Sequence, residues 1–370
     1  MNWDPTCVTE ELVVNMGPQH PSTHGVLRLI VRLDGEKVMA VRPDIGFLHS
    51  SLEKIAEKLD YRQYLPYTDR YDYLCAMMNE LVYCRAVEGL LGIEPTPRCQ
   101  WIRVMMAEMN RIASHLVYYG ALGMDTGATT VFLYCFRERE RLLQLFENAS
   151  GQRLLYHYFR IGGLRNDLPV DFCAGLRSFL DEFPGRVKEY DALLTKNRIF
   201  RSRTEGVGYL SADSALSYGV TGPTLRGSGV SYDVRRVDPY YVYPELEFDV
   251  PTFPEGDVMA RHLVRQEEML QSVRILRQCL DHLPAGEINV KVPRKIKPEP
   301  AETFVRVESP RGELGVYLIS DGTDKPYRLH WRAPSFYNLQ AYPEMCQEAY
   351  VADLVAILGS TDIILGDVDR

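Results

Sequence analysis

Trp101-Ile102-Arg103-Val104-Met105-Met106-Ala107-Glu108-Met109-Asn110-Arg111-Ile112-Ala113-Ser114-His115-Leu116-Val117 is the stretch from which the fold is read. Ile102, Met105, Met106, Met109, Ile112, Leu116 and Val117 recur three and four apart, which places them on one stripe of a long helix. Upstream, Leu74, Met78, Leu81, Val82 and Cys84 suggest a second helix, and further helices are expected over Thr130–Glu147, Asp171–Leu194 and Val258–His282. Successive helices with wide apolar faces must bury those faces against one another, so a bundle core is expected between about residues 48 and 195.

Outward from the bundle the period changes to two. Glu11–Asn15 alternates as a short strand, and Val26–Leu33 and Lys37–Val41 flank Asp34-Gly35, a strong hairpin signal. Strand-like runs return at Thr303–Glu308, Glu313–Ser320 and Tyr327–Arg332, followed by a short helix at Ala352–Leu358. Arg203–Gly256, rich in Gly, Pro, Tyr and Ser, reads as long ordered loops, and Lys291–Pro300 as a proline-rich strap. The expected class is α+β: a central helical bundle with antiparallel strands before it and a mixed portion after it. The segments are 1–47, 48–200 and 201–370, integrated into one domain.

The chain has 370 residues, 46% of them hydrophobic and 25% charged, with a net charge of −8. That is a globular composition with the wrong sign for general affinity to nucleic acid or an anionic bilayer. No run approaches the roughly 20 apolar residues of a membrane helix, and no signal peptide is expected from the first residues. The eight cysteines are scattered, with no CxxC and no Cys/His ladder, so reduced, mostly buried thiols and no metal site are expected.

Several clusters carry potential chemistry, each beside a plainer reading. His20 and His24 lie in the loop Gly17-Pro18-Gln19-His20-Pro21-Ser22-Thr23-His24-Gly25. Pro21 opposes a helical metal pair; the histidines can bond backbone in a turn, or the loop can present an imidazole to a ligand. In Tyr67-Thr68-Asp69-Arg70-Tyr71-Asp72-Tyr73, Thr68 or Asp69 can cap the next helix, while a phenol and a guanidinium at a helix entrance suit a polar, partly dry pocket. His115 on the long helix reads as a satisfied core residue, and Asp125, between Gly123 and Gly127, as a turn residue just past it. The alternating charges of Phe136–Arg141 read as ion pairs on a solvated helix face. Gly227-Ser228-Gly229 lacks the strand and helix of a dinucleotide fingerprint. Spacing alone assembles no catalytic constellation.

Taken in order, GPQHPSTHGVLRL (from Gly17), IGFLH (from Ile45), NRIASHL, FRERE, YFRIGG (from Tyr158), SPRGELG (from Ser309), RAPSFYNLQ (from Arg332) and GDVDR (from Gly366) strongly resemble one family over almost the whole chain. It is the 49-kDa, or D, subunit of respiratory complex I, the proton-pumping NADH:quinone oxidoreductase. The family is related to the large subunit of nickel–iron hydrogenases, whose two CxxC pairs correspond here to Arg70–Cys75, with a single Cys75, and Asp362–Arg370, with none. Nickel binding is therefore not expected.

The resemblance implies that His24 and Tyr73 donate hydrogen bonds to a quinone headgroup. Asp125 is implied to pair with that histidine, and Arg70 and His115 to lie against the terminal iron–sulfur cluster. That cluster is implied to be held by the neighbouring B subunit, with NAD and the other clusters on further chains. The implied partners are the cluster-bearing B subunit, the C subunit and the membrane H subunit, with this chain peripheral on the cytoplasmic side of the inner membrane. One departure is visible: many family members carry a longer insert between His282 and Val305.

Overall fold

The computed structural model describes residues 11–19 and 25–370. Strands β1 (Leu12–Met16), β2 (Arg28–Asp34) and β3 (Lys37–Asp44) form an antiparallel sheet in that order. Asp34 pairs with Lys37 across Gly35, whose φ of 60° suits a tight hairpin. Next come α1 (Leu52–Ala56), α2 (Tyr61–Thr68), α3 (Ala76–Leu91), α4 (Pro97–Asp125) and α5 (Thr129–Ser150). A small ribbon of β4 (Phe159–Arg160) and β5 (Gly163–Leu164) leads to α6 (Phe172–Tyr190), which ends in a π-helical turn, Asp191–Thr195.

Helix α7 (Arg198–Thr204) leads into the segment expected to be loops, which contains three more short helices, α8 (Ala212–Ser217), α9 (Gly222–Arg226) and α10 (Val234–Val237), and a 3-10 turn at Tyr243–Glu245. Side-chain caps start three of them: Asn197, Ser211 and Asp233 each accept backbone N–H groups. Helix α11 (Val258–His282) follows, with the bounds expected from its periodicity. A second antiparallel sheet, β6 (Ala301–Ser309), β7 (Gly312–Ser320) and β8 (Pro326–Arg332), precedes α12 (Pro334–Gln340), α13 (Tyr342–Met345), α14 (Asp353–Thr361) and α15 (Leu365–Asp369).

Helix α4 is the axis of the core. It packs against α5, α11, α14 and α3, so the bundle recruits α11 from well beyond residue 200. Its stripe residues Ile102, Met105, Met106, Met109, Ile112 and Leu116 are fully buried. So are Arg103, Glu108, Asn110, Arg111, Ser114 and His115 on its other faces. An amphipathic reading leaves those polar faces to solvent; here α11 and the 226–243 segment cover them, and ion pairs replace the lost water.

The capping expectation for α3 fails. Its N-cap residue is Cys75, which provides no side-chain cap, and the box that does form is one helix earlier, Asp60 with Gln63 on α2. Glu138 and Arg139 of the FRERE run are buried, not solvated: α6 lies over Glu138 on α5, and Arg139 lies near Tyr156. Glu138 is paired with Arg137, Arg141 and Arg186. All seven described cysteines are free, and six are buried.

Candidate functional site

Three segments far apart in sequence meet at Arg311, which sits in the two-residue turn between β6 and β7. Its Nη1 donates to Asp72 Oδ2 at 2.8 Å and to Ser114 Oγ at 2.9 Å. Its Nε donates to the Asp362 carbonyl at 2.8 Å, and its Nη2 reaches Asp362 Oδ1 at 3.3 Å. The entrance of α3, the middle of α4 and the loop after α14 are thereby pinned to one guanidinium. Burial raises the Asp72 carboxyl to about 6 in spite of Arg311, and the nearby Asp367 and Asp362 charges push it the same way.

Tyr73 follows Asp72 and is 38% exposed. It lines a cavity of about 250 Å³ with Leu74, Val117, Tyr118, Ala121 and residues 359 and 362–364. The walls are mostly apolar. Burial, and then the Asp72 charge, raise the Tyr73 phenol, so it carries its proton at neutral pH and is a donor. Asp125 is the last residue of α4, one turn beyond Ala121, and is half-buried. The expectation from sequence had it just past the helix.

His20 and His24 lie outside the described residues. The chain re-enters at Gly25, with φ +127°, and a Cβ there would meet Leu365 Cδ1 at 2.9 Å. Leu365 adjoins Ile364, a lining residue of the cavity. Gly366 permits a second close approach: a Cβ on it would lie 2.3 Å from the Tyr71 carbonyl oxygen and 2.9 Å from that of Arg70. Asp369, in the same short helix, accepts the backbone N–H groups of Gly46 and Leu48 at 2.8 and 2.7 Å, joining the IGFLH and GDVDR motifs.

Arg70 and His115 have different surroundings. Arg70 is exposed; its Nη1 donates to the Pro66 carbonyl and lies 3.3 Å from His157 Nε2. His115 is fully buried, with Nε2 2.8 Å from Glu268 Oε2. Burial lowers its pKa even with that carboxylate adjacent. Around it lies a charge network linking α4, α9, α10, α11 and β6. Arg226 pairs with Glu268 and Glu308, Arg235 with Asp233 and Glu108, and Arg111 with Glu108.

Neither Arg311 nor His157 stands out in the sequence as a site residue. The signal for the first is its place in SPRGELG, a charged residue in the turn between two strands. For the second there is none, since His157 lies 87 residues from the guanidinium it meets.

A family model described as the respiratory-chain NADH dehydrogenase 49 Kd subunit matches residues 125–300 and 291–370. The D 2 subunit of the NADH-quinone oxidoreductase of Symbiobacterium thermophilum is 50% identical over 379 residues, covering 98% of this chain and 99% of its own. Its counterpart of the same name in Koribacter versatilis is 49% identical, covering 97% and 96%. The NADH-quinone oxidoreductase D subunit of Geobacillus thermodenitrificans is 49% identical, covering 98% and 99%. With half of its residues shared with these relatives end to end, the chain belongs to the family of the 49-kDa, or D, subunit of the respiratory-chain NADH-quinone oxidoreductase.

Proposed function

We propose that this chain walls the chamber in which quinone takes up two electrons and two protons, with Tyr73 and His24 as the donors to its two carbonyl oxygens. The observation that carries this reading is the cavity itself: mostly apolar walls, two protonated phenols, Tyr73 half-exposed at it and Tyr118 buried behind it, and the His24 loop returning to the described chain at Gly25, against the helix next to the lining. A cavity of about 250 Å³ suits a single ring and leaves an isoprenoid tail to run out toward other subunits. Reduction places negative charge on both carbonyl oxygens, and a phenol O–H and an imidazole N–H stabilise that charge and hand over protons.

In this reading Asp125 pairs with His24 and favours its imidazolium until the proton is given up, which links the chemistry to proton translocation. Arg70, on the surface, faces the terminal cluster of the B subunit; His115 acts on the same centre from within the Glu268 network. The C and membrane H subunits complete the surroundings, on the cytoplasmic side of the membrane, and NAD and the clusters are held by other chains. A kinship with the hydrogenase large subunit gains support from Arg311. It brings together the neighbourhoods of the two segments matched to the thiolate pairs, 70–75 and 362–370.

In the assembled complex, Tyr73→Phe and His24→Ala are expected to lower quinone reduction by about tenfold or more. Reduction of an artificial acceptor at the electron-entry end should stay at the parent rate. Full quinone turnover in both variants would defeat the assignment. For His115→Met, redox titration should show a terminal-cluster potential with a flatter pH dependence than the parent; an unaltered slope removes His115 from the proposal.

A further inference from the structure

Behind Arg70 lies a cluster that the quinone reading does not use. Asp69 and Glu80 are both fully buried, and His157 lies over them with its side chain 20% exposed. One ligand atom from each of the three falls within 4.8 Å of the others. The chain segment 157–159 supplies a backbone N–H to each carboxyl: His157 N–H to Asp69 Oδ2 at 3.4 Å, and Phe159 N–H to Glu80 Oε2 at 2.7 Å. The other oxygens, Asp69 Oδ1 and Glu80 Oε1, have no N–H or O–H donor among the described residues.

The imidazole does not fill that gap. Its Nε2 faces the Arg70 guanidinium, which can only donate, so Nε2 accepts and the ring proton sits on Nδ1. Nδ1 lies 3.0 Å from Asp69 Oδ2, an oxygen already served by the backbone. Two carboxyl groups within reach of each other, each with an orphaned oxygen, call for a cation between them. The charged groups around the cluster are Arg70 beside Asp69 and His157, Arg160 beside Glu80 and His157, and Arg165 beside His157, with the Tyr156 phenol also near. Three guanidinium groups oppose a divalent metal and suit a single proton, which leaves the trio with one negative charge.

We propose that Asp69 and Glu80 share one buried proton between their orphaned oxygens, and that His157 is its route to solvent. Burial and mutual repulsion raise Asp69, and burial raises Glu80, so the proton is held at neutral pH. Burial and the three arginines hold His157 down at about 4, so the proton rests on the carboxyls and passes through the ring only in transit. Asp69 adjoins Arg70 in the chain. A change of charge on the surface that Arg70 faces is therefore felt by this proton, and this part alone rests on the proposed position of the neighbouring cluster.

The test is infrared difference spectroscopy of the intact complex, oxidised against reduced, in water and in heavy water. A protonated-carboxyl band that shifts on deuteration is expected in the parent and expected to be lost in both Asp69→Asn and Glu80→Gln. His157→Gln should keep the band and slow its deuteration. A band unchanged in both carboxyl variants overturns the shared proton. So does a stoichiometric divalent cation in the purified parent complex that is missing from Asp69→Asn. Glu80→Gln, whose amide can still accept the Phe159 N–H, keeps the measurement available should Asp69→Asn fail to assemble. Redox titration of the terminal cluster should show a flatter pH slope in Glu80→Gln; a parental slope with the band lost overturns the coupling to that centre. Failure of the quinone reading would show instead as full turnover in Tyr73→Phe and leave the infrared band in place.

Discussion

Arg311 shows how one side chain sets the geometry of the site. It has no water to fall back on: every bond its guanidinium makes is to Asp72, Ser114 or Asp362, and all four residues are buried. Replacing it with Met keeps much of the volume but leaves Asp72 without its cation and Asp362 with only Arg265, 3.9 Å away. Removing one partner of a buried pair costs about 3–5 kcal/mol. Arg311→Met is therefore expected to lower the thermal midpoint of the subunit within the complex and to lower quinone turnover with it, since Tyr73 follows Asp72 directly. Differential scanning calorimetry of the purified complex, read beside its turnover, checks both. At this scale the sequence showed Arg70 and Tyr73 as one cluster at a helix entrance, and the structure sends the two side chains to different surroundings, a cavity for Tyr73 and His157 for Arg70. The sequence was silent where the partner came from a remote segment, as for His157.

At the scale of elements, periodicity served well for long helices and poorly for short ones. The stripe in α4 and the bounds of α11 follow from apolar spacing because each runs for many turns. Helices α7 to α10 have four to seven residues each, too few for a period to register against the surrounding glycines and prolines. Helix α15 is shorter than two turns, yet all five of its residues are buried. Its place against the Arg70–Tyr71 backbone depends on Gly366 having no Cβ. Gly366→Ala would put a carbon 2.3 Å from the Tyr71 carbonyl oxygen, so either α15 or the Tyr73 loop must move. Overpacking of this kind costs about 1–3 kcal/mol. The expected result is weakened quinone turnover with assembly largely kept, and faster hydrogen exchange at α15 amides by mass spectrometry.

Across the whole molecule, the buried charge network makes stability depend on pH in two opposed ways. The Arg111 and Arg235 charges, with bonds from Ser272 and Tyr243, hold Glu108 down at about 2 despite its burial. Asp233 is likewise lowered beside Arg235, again against burial. Between roughly pH 4.5 and 2 the unfolded chain therefore binds more protons than the folded one, and stability falls as pH falls, by on the order of 3 kcal/mol for Glu108 alone. Glu308 is raised by burial and by Asp233, so its effect has the reverse sign: the folded chain binds the extra proton, and stability slopes down as pH rises from about 4.5 toward neutrality. Protection factors of α4 and α11 amides in the complex should climb from pH 2 to about 4.5 and then decline gently. A flat profile below pH 4.5 would contradict the ionised network.

The amino-acid order by itself determined the long helices, the N-terminal antiparallel strands with their pairing around Gly35, the three strand runs near the C-terminus and, through its motifs, the family. Each of these rests on interactions between residues near in sequence or on runs long enough to repeat. Only the tertiary structure decided which charged faces are buried, because burial of Arg111 and Arg311 depends on segments that lie about two hundred residues away. It also decided that Asp72 and Asp362 share one arginine and that Asp69, Glu80 and His157 converge. The reason is physical: a charge can leave water only when its partner is already in place, and that partner's position is a property of the packed chain.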